Sequence, residues 1–534
     1  MASHVSDPLD PSSEDDYDYQ SDDVARPGLV ADLEDLVDGA VRFDSYTRQL
    51  YATDASAYER TPIGVVFPAD TADVAAVVEY CAEREIPVLP RGGGTSLAGQ
   101  TVNEAVVLDF TKHMGDLVSV DPDERRATAE AGAILGELNA ELAPHDLKFA
   151  PDPAWGDRSA LGGAVGNNST GSHSLKYGKT DHYIEEVEAV LADGSVHRFG
   201  DVAVETLRAE GDPEGEILER VYAEVVRILD EESEEVDEKY PDLKRNVSGY
   251  NLDVLVEEAR GDGRTEAGTV NLARLLAGSE GTLAIVTEAT VSLEPVPNTK
   301  SVALLTYDTL IDALEDVEPI LEHGPAAVEV MDDVLLGLAG DTAEFADVVG
   351  MLPEGTDSVL LVEFYADDDD HGRQQVADLI ADRVPGVDSE ATPSDGASDV
   401  TEKDHYAVHA MEAHDEDKRA KFWKMRKSGL PILLGRTSDA KHIAYIEDTA
   451  IPAQHLPEYV AEFEEILEEH DTLTTYYAHA GPGVLHIRPL VNTKTVEGVE
   501  QMEAIADAVT DLVVEYGGSV SGEHGDGKAR TKWN

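Results

Sequence analysis

Positive charge is scarce in this sequence. Its 534 residues include 40 lysines and arginines against 110 aspartates and glutamates, a formal net charge of −70 at pH 7. A surface of that charge repels phosphate backbones and anionic lipids, which excludes nucleic acids and acidic membrane surfaces as partners. Acidic chains can be disordered, but apolar periodicity and glycine-rich turns run through nearly the whole sequence, so we predict a folded protein.

The same charge has a consequence for stability. Carboxylates crowded on a folded surface repel one another and destabilise the compact state in dilute buffer. Molar salt shortens the Debye length to about 3 Å and screens most of that repulsion. The composition therefore predicts a halophilic protein that needs salt to remain folded.

Cysteine and long apolar runs are also nearly absent. Cys81 is the single cysteine, which excludes a disulfide or a cysteine-ligated iron–sulfur cluster within the chain. No stretch approaches the roughly 20 apolar residues that span a bilayer. Residues 1–10 lack the basic and apolar regions of a signal peptide. We therefore expect a cytoplasmic protein without a transmembrane segment.

The length and the 42% content of hydrophobic residues predict two or more domains. Residues 1–40 read as an acidic N-terminal segment that we expect to be partly disordered. From Ile63 onward, short strands alternate with amphipathic helices, which predicts an α+β domain over 41–297. Pro295 and Pro297 indicate a boundary near residue 298.

The second half predicts a different architecture. Residues 298–475 alternate strands with acidic helices and predict an antiparallel sheet backed by helices, with one strand at Ile443–Ile446. The four acids Asp367–Asp370 predict a solvated loop. Residues 476–534 form a last segment, rich in glycine and histidine.

Three glycine-rich segments are candidates for ligand binding. Adjacent glycines allow a ligand to approach the backbone, and their N–H groups can form a nest for a pyrophosphate. For the first segment, a tight turn is an equally good interpretation on its own. Segment one is Arg91-Gly92-Gly93-Gly94-Thr95-Ser96; segment two contains Gly163, Gly166, Asn167, Asn168, Ser169 and Gly171 and follows Pro151-Asp152; segment three is the Glu280-Gly281 turn leading to Ile285.

Two further motifs carry histidines. His479 and His486 flank one glycine-rich turn, and Glu523-His524 lies in another. Two histidines and a carboxylate can hold a divalent metal with positions left open, which favours a site here.

Two nucleotide-binding interpretations fail. Gly522–Lys528 fits the start of a P-loop, but Ala529 stands where a Mg²⁺-binding Ser or Thr is required, so we reject an NTPase. The first glycine segment is not a G-x-G-x-x-G motif, which argues against NAD.

Taken in order, the five motifs resemble the FAD-linked oxidase family with the vanillyl-alcohol-oxidase (PCMH-type) fold. The resemblance covers residues 41–534, and its branch includes D-lactate, glycolate and D-2-hydroxyglutarate dehydrogenases. It implies a two-subdomain PCMH-type FAD-binding domain at 41–297, a cap (substrate) domain at 298–475 and a C-terminal FAD-linked oxidase segment at 476–534.

The resemblance also implies how the cofactor is held. The glycine-rich segments would cradle the pyrophosphate and the isoalloxazine of FAD. Some relatives attach FAD covalently through a histidine beside the first segment. Thr95 and Ser96 occupy that place here, which implies non-covalent FAD.

The site residues follow from the same resemblance. His479, His486 and Glu523 match metal ligands, for Zn, Mn or Fe, and His524 matches the catalytic base. Arg426 and Lys441 match carboxylate-binding positions; without the resemblance we would interpret both as surface charge. In the implied mechanism the metal lowers the pKa of the 2-hydroxyl, His524 removes a proton, and a hydride passes to flavin N5.

Two departures from the family pattern affect the predicted partner. Residues 481–484 read Gly-Pro-Gly-Val where the family usually has Gly-Asp-Gly-Asn, which points to a long branch fused to an iron–sulfur domain. The family also normally continues beyond the Glu-His-Gly motif, so this chain looks truncated. An iron–sulfur protein or domain is the expected electron acceptor, and the protein would contact a membrane only peripherally through such a partner.

The predicted function is oxidation of a small D-2-hydroxy acid by FAD, with D-lactate first and glycolate or D-2-hydroxyglutarate next. The alternatives are a catalytically incomplete flavoprotein subunit that needs an iron–sulfur partner chain, and an oxidase that passes electrons to O₂.

Overall fold

The computed structural model describes residues 27–385, 406–435 and 437–534. The predicted N-terminal segment lies mostly outside these ranges. Its described part begins with the helix Pro27–Leu36, which buries Leu29 and Leu33 against the first sheet.

The first sheet contains two parallel strand pairs. The helix Thr71–Ala82 covers it, because Val74, Val77 and Cys81 recur on one helical face and are fully buried. Asp70 caps this helix by accepting a hydrogen bond from the backbone N–H of Asp73 at 3.0 Å. The strands, in spatial order, are Ala40–Arg42, Gly64–Phe67, Val106–Asp109 and Val88–Arg91.

The second sheet is antiparallel and has five strands. Its β-hairpin turns at Asp193-Gly194, with Gly194 at φ +82°. In spatial order its strands are Leu117–Asp121, Arg126–Glu130, Ile285–Ser292, Ile184–Val190 and Val196–Phe199.

The third sheet is antiparallel and has seven strands. Both of its faces are covered by helices, so its strands are apolar on both sides. Strands from the predicted segments 298–475 and 476–534 pair in this one sheet. Its spatial order is His409–Ala413, Thr299–Tyr307, Ser358–Ala366, Ala327–Met331, Tyr476–His479, Val484–Ile487 and Asp448–Ala450.

Different helices cover the two faces of the third sheet. One face carries Leu310–Glu315, Val317–Leu321, Asp369–Arg383, Leu456–Glu469 and Val496–Glu515. The other carries Asp333–Gly340, Ala346–Val349, Glu416–Lys427 and Gly429–Leu434.

Short elements complete the described chain. The remaining helices are Ser45–Leu50, Leu135–Leu142, Leu161–Asn167, Ser174–Tyr177, Val204–Glu210, Ile217–Arg227 with the π-turn Ile228–Glu232, Ser233–Lys239, Leu252–Arg260, Leu272–Leu276 and Gly527–Arg530. The 3-10 turns are Ala143–His145, Thr180–Tyr183 and Ala453–His455. Two-stranded ribbons pair Asp201–Ala203 with Thr269–Asn271, Leu147–Lys148 with Glu294–Pro295, and Lys441–His442 with Leu490–Val491. Within the described ranges, no helix combines the length and apolar character needed to cross a bilayer.

One local prediction was wrong, and a second was wrong in part. Ile443–Ile446 is not a strand: the chain bends there between the short strands Lys441–His442 and Asp448–Ala450, and the apolar run is buried by packing instead. The acidic run is exposed as predicted but is a loop only in its first half: Asp367 and Asp368 lie in a bend, whereas Asp369 and Asp370 begin a helix. Asp368 caps the helix Asp369–Arg383 by accepting a hydrogen bond from the His371 N–H at 2.8 Å, and acids in a first turn are stabilised by the helix dipole.

Candidate active site

The side chain of Gln100 joins four of the sequence motifs, and its Oε1 accepts a hydrogen bond from Ser96 Oγ at 2.6 Å. Its Nε2 lies 2.7 Å from Asn167 Oδ1, 2.7 Å from Glu280 Oε1 and 3.0 Å from the backbone oxygen of His524. Glu280 in turn accepts a hydrogen bond from the backbone N–H of Asp526 at 2.8 Å. The three glycine-rich segments and the Glu-His-Gly motif therefore meet at one place.

A cleft runs along the glycine-rich segments to this meeting point. Its floor suits a ligand that approaches the backbone: a Cβ added to Gly163 would meet nothing within 4 Å, so this position opens into the cleft. Gly93 is packed so closely that a Cβ there would lie 1.8 Å from the carbonyl oxygen of Arg158. Predicted residues that line the cleft are Arg91, Gly92, Gly93, Gly94, Thr95, Ser96, Gly163, Gly166, Asn167, Ser169, Glu280 and Gly281, joined by Glu523 and His524.

Arg91 and Glu280 line the cleft, but both side chains already form hydrogen bonds within the protein. The Arg91 guanidinium donates hydrogen bonds to the backbone oxygens of Thr101 at 3.0 Å and Thr53 at 2.9 Å, so it braces the loop that carries it. Glu280 holds the segment after His524, through the Asp526 and Gly527 N–H groups. These hydrogen bonds hold both side chains in place. The two side chains therefore maintain the shape of the cleft rather than offer charge to a ligand.

Other predicted cofactor residues support the cleft from behind. Asn168 is buried at φ +53° and donates a hydrogen bond to Asp181. Ile285 points away, because its neighbours Ala284 and Val286 face the cleft and side chains alternate along a strand. The Asp152 carboxylate is bound to His173. Pro151 precedes it, and Gly171 packs against the backbone oxygen of Asp152.

The predicted metal ligands converge at the end of the third sheet. His479 and His486 lie on adjacent antiparallel strands, with ring centroids 4.9 Å apart. Glu523 Oε2 lies 3.0 Å from His479 Nε2 and 3.5 Å from His486 Nε2. All three side chains are buried. The sequence prediction that these groups share one site is consistent with this geometry.

His524 lies beside this group and is held by two acids. Its Nδ1 is 2.8 Å from Glu447 Oε1, and its backbone N–H donates to Asp448 Oδ2 at 2.6 Å. Its ring stacks on that of His486, with centroids 5.0 Å apart and planes 6° apart. Burial lowers the pKa of His524, but Asp448 and Glu447 outweigh burial, and the net shift is upward.

A divalent metal fits the residues present. Ligand atoms of Asp448, His486, Glu523 and His524 all lie within 4.8 Å of one another. Asp448 Oδ1 and His486 Nδ1 are buried without a hydrogen bond. Burial lowers the pKa of His486 to about 3, which keeps it in the neutral form that binds metals. Asp448 joins the predicted donors here, while His479 Nδ1 is engaged by Glu329 at 2.8 Å.

The predicted cations differ in position. Arg426 is buried at the end of the helix Glu416–Lys427, 2.6 Å from Glu329 Oε2, so it is not surface charge. Lys441 begins the two-residue strand beside Leu490–Val491 and is half-buried. Three fully buried arginines were missed: Arg245 lies 3.5 Å from Glu523, and Arg488 and Arg530 lie 3.6 Å and 2.9 Å from Glu447.

Two protein-family models match this chain. Residues 62–200 match the FAD binding domain, and residues 296–534 match the C-terminal domain of FAD linked oxidases. The chain belongs to the FAD-linked oxidase family. This confirms the resemblance and the FAD-binding domain derived from the five motifs.

Curated relatives of this chain act on hydroxy acids, according to their names. D-2-hydroxyglutarate dehydrogenase of Pantoea ananatis (strain AJ13355) is 32% identical over 90% of this chain and 46% of that protein. Glycolate oxidase subunit GlcD of Bacillus subtilis (strain 168) is 26% identical over 93% of this chain and 88% of that protein. The chain thus spans about half the length of the D-2-hydroxyglutarate dehydrogenases that it matches.

Solved structures confirm the fold class. The 4-ethylphenol oxidase from Gulosibacter chungangensis superposes with a TM-score of 0.61 over 95% of this chain and 91% of that chain, at 14% identity. An alkyldihydroxyacetonephosphate synthase superposes with a TM-score of 0.59 over 94% of this chain and 81% of that one, at 17% identity. The α+β, PCMH-type architecture predicted from the sequence is therefore the observed one.

Proposed function

We propose that this chain is the flavoprotein part of a dehydrogenase that oxidises a D-2-hydroxy acid to the 2-oxo acid. The observation that carries the proposal is the placement of His524 and Glu523 on the lining of the glycine-rich cleft. A base and a candidate metal site therefore adjoin the surface that would hold non-covalent FAD.

The side chains divide the work. Arg426, a buried guanidinium at the site, would bind the substrate carboxylate, and Lys441 is the second predicted carboxylate-binding group. Glu447 holds His524 by Nδ1, which leaves Nε2 to take the proton of the 2-hydroxyl. Bound FAD supplies the hydride acceptor for this chemistry. A metal held by His486, Glu523 and neighbouring donors would supply a Lewis acid near the hydroxyl.

The relatives favour a dicarboxylate as the first substrate to test. Relatives at 32% and 31% identity are named D-2-hydroxyglutarate dehydrogenase. The buried cations Arg245, Arg426 and Arg488 around the site are compatible with a second carboxylate. D-lactate, the first choice from the sequence, is the second candidate, since a D-lactate dehydrogenase of Saccharomyces cerevisiae is 24% identical over 98% of this chain.

An anaerobic visible spectrum of the purified chain in molar KCl tests this function. We expect a flavin spectrum that bleaches with the D-isomer of 2-hydroxyglutarate or lactate and not with the L-isomer. Flavin that persists with both of these acids and with glycolate would contradict the dehydrogenase. The alternative is an incomplete flavoprotein subunit. Bleaching that appears only after an iron–sulfur partner is added would favour that alternative.

The electron acceptor distinguishes the remaining candidates. An iron–sulfur protein or domain is our proposed acceptor, and ferricyanide can replace it in the assay. Under air, hydrogen peroxide formed at the rate of hydroxy-acid oxidation would instead show an oxidase.

A further inference from the structure

An ionic cluster outside the proposed chemistry links the cofactor-binding domain to the third sheet. His173 follows the second glycine-rich segment. Its Nδ1 lies 2.5 Å from Asp152 Oδ2, and its Nε2 lies 2.8 Å from Glu363 Oε1. Asp152 belongs to the cofactor-binding domain, whereas Glu363 lies on the strand Ser358–Ala366. One imidazole therefore joins the two domains.

The second oxygen of Glu363 extends this cluster to a substrate-site helix. Trp423 Nε1 donates a hydrogen bond to Glu363 Oε2 at 2.6 Å, and the Trp423 and His173 rings have centroids 5.3 Å apart. Trp423 lies one helical turn before Arg426 on Glu416–Lys427. The contacts therefore run without a break from the cofactor segment to the helix of Arg426.

The imidazole in this cluster is a cation. Each ring nitrogen faces a carboxylate, and carboxylates only accept, so both nitrogens must carry hydrogen. Burial disfavours the charge, but Asp152 and Glu363 outweigh it and raise the pKa of His173 to about 9. Against burial, His173 also lowers the pKa of Asp152 to about 2.

Lysines and aromatic rings complete the surroundings of His173. Lys300 Nζ lies 3.9 Å from Glu363 Oε1, and the Tyr365 ring stacks on His173 with centroids 5.5 Å apart. The lysine charges add to that of the imidazolium, which keeps both carboxylates ionised at neutral pH. The charged and titratable neighbours are Asp152, Glu363, Lys148, Lys300, Lys427, Tyr177 and Tyr365.

We propose that His173 is a positioning residue: its doubly hydrogen-bonded cation holds the third sheet against the cofactor cleft and thereby fixes Arg426 for the substrate carboxylate. The role of Arg426 rests on the function proposed above. The His173 clamp, meaning the hydrogen bonds of His173 to Asp152 and Glu363, does not rest on it. The clamp can be measured without substrate or cofactor.

Fluorescence of Trp423 reports the clamp directly. The chain has three tryptophans, so Trp155→Phe and Trp533→Phe leave Trp423 alone. A protonated imidazole against an indole quenches its emission. We expect emission in molar KCl to rise with pH, with a midpoint near the pKa of about 9. The rise should vanish in His173→Gln and persist in His145→Gln, the same change at an exposed histidine.

A second variant guards against a His173→Gln protein that does not fold. Glu363→Gln keeps the shape of the side chain and one acceptor for Trp423, but it removes one of the two charges that hold the proton. The midpoint of the Trp423 titration should then move to lower pH. An unmoved midpoint would contradict the ion pair.

Kinetics test the consequence for Arg426. We expect His173→Gln to raise KM for the hydroxy acid about tenfold, with kcat within about twofold, because substrate binding is weakened more than the chemistry. Emission of Trp423 that stays flat from about pH 7 to about pH 10 overturns the clamp, whatever the activity. A lost titration with unchanged KM overturns the link to Arg426. An enzyme that is inactive on every hydroxy acid would contradict only the proposed function. The fluorescence titration would still test the clamp.

Discussion

Single acids inside otherwise apolar strands indicate where the candidate active site lies. Glu329 lies in Ala327–Met331 and Glu363 lies in Ser358–Ala366, and both are almost completely buried. A buried carboxylate is costly unless it is paired, so each acid in such a run indicates a cation elsewhere. This signal lies outside the five motifs that predicted the site. The partners themselves cannot be read from the sequence, since His173 lies 190 residues from Glu363.

His524 is the proposed general base. We expect His524→Ala to lower the rate of hydroxy-acid-dependent flavin reduction by about 100- to 10,000-fold, the usual contribution of a general base. FAD content should be unchanged, because the cleft keeps its glycine-rich lining. Anaerobic stopped-flow absorbance measures the rate, and the flavin spectrum measures the content.

The matched control for that variant is His113→Ala. His113 is exposed and is not among the residues that line the cleft, so its removal should leave reduction unchanged. A His524→Ala enzyme that reduces flavin at the rate of this control would exclude His524 as the base.

Among the elements, the helix Leu161–Asn167 offers the clearest test of the cofactor cleft. Gly163 opens into the cleft on this helix, and Gly337 on Asp333–Gly340 likewise has nothing within 4 Å of an added Cβ. Leucine favours a helix over glycine by about 1 kcal/mol, so neither Gly→Leu change should destabilise the fold. Gly163→Leu should weaken FAD binding by about tenfold or more, since it fills the cleft.

Fluorescence quenching of added FAD gives the affinity, and thermal unfolding of each apoprotein gives the stability. The Gly337→Leu variant should bind FAD as the parent does. Equal affinities for both variants would remove Gly163 from the cofactor surface.

The elements also show where sequence patterns suffice. Strong periodicity over 71–84 is enough to predict a helix, observed at Thr71–Ala82, because the helix buries one apolar face. The same reasoning gave a wrong prediction at Ile443–Ile446. Apolar and β-branched residues there predict a strand, but burial alone can keep this segment in place. That error also hid Asp448, whose acidic side chain directly follows Glu447 and enters the candidate metal site.

For the whole molecule, salt dependence is the main expectation. The net charge of −70 predicts that the unfolding midpoint rises steeply between dilute and molar KCl, because the Debye length falls from roughly 30 Å at 0.01 M to roughly 3 Å at 1 M. Thermal unfolding by circular dichroism across that range measures it. Sucrose at matched osmolality, which stabilises by exclusion without screening charge, is the control. A midpoint that does not move with KCl would contradict halophilic adaptation.

The set of five motifs, taken together, predicted the family, the fold and most of the cleft. The first motif alone was also compatible with a tight turn. What the set left out are the residues that orient its members, such as Gln100, Glu447 and Arg245. Their role exists only once distant segments touch, so their local sequence does not indicate it.

The Gln100–His524 contact spans 424 residues of chain, and this has a consequence for biosynthesis. The first two glycine-rich segments leave the ribosome long before residue 524 does, and loop closure on that scale is among the last entropic costs of folding. A nascent chain can therefore expose a half-built cleft until the Glu-His-Gly motif has been synthesised. The cleft is complete only after that motif has folded against Gln100.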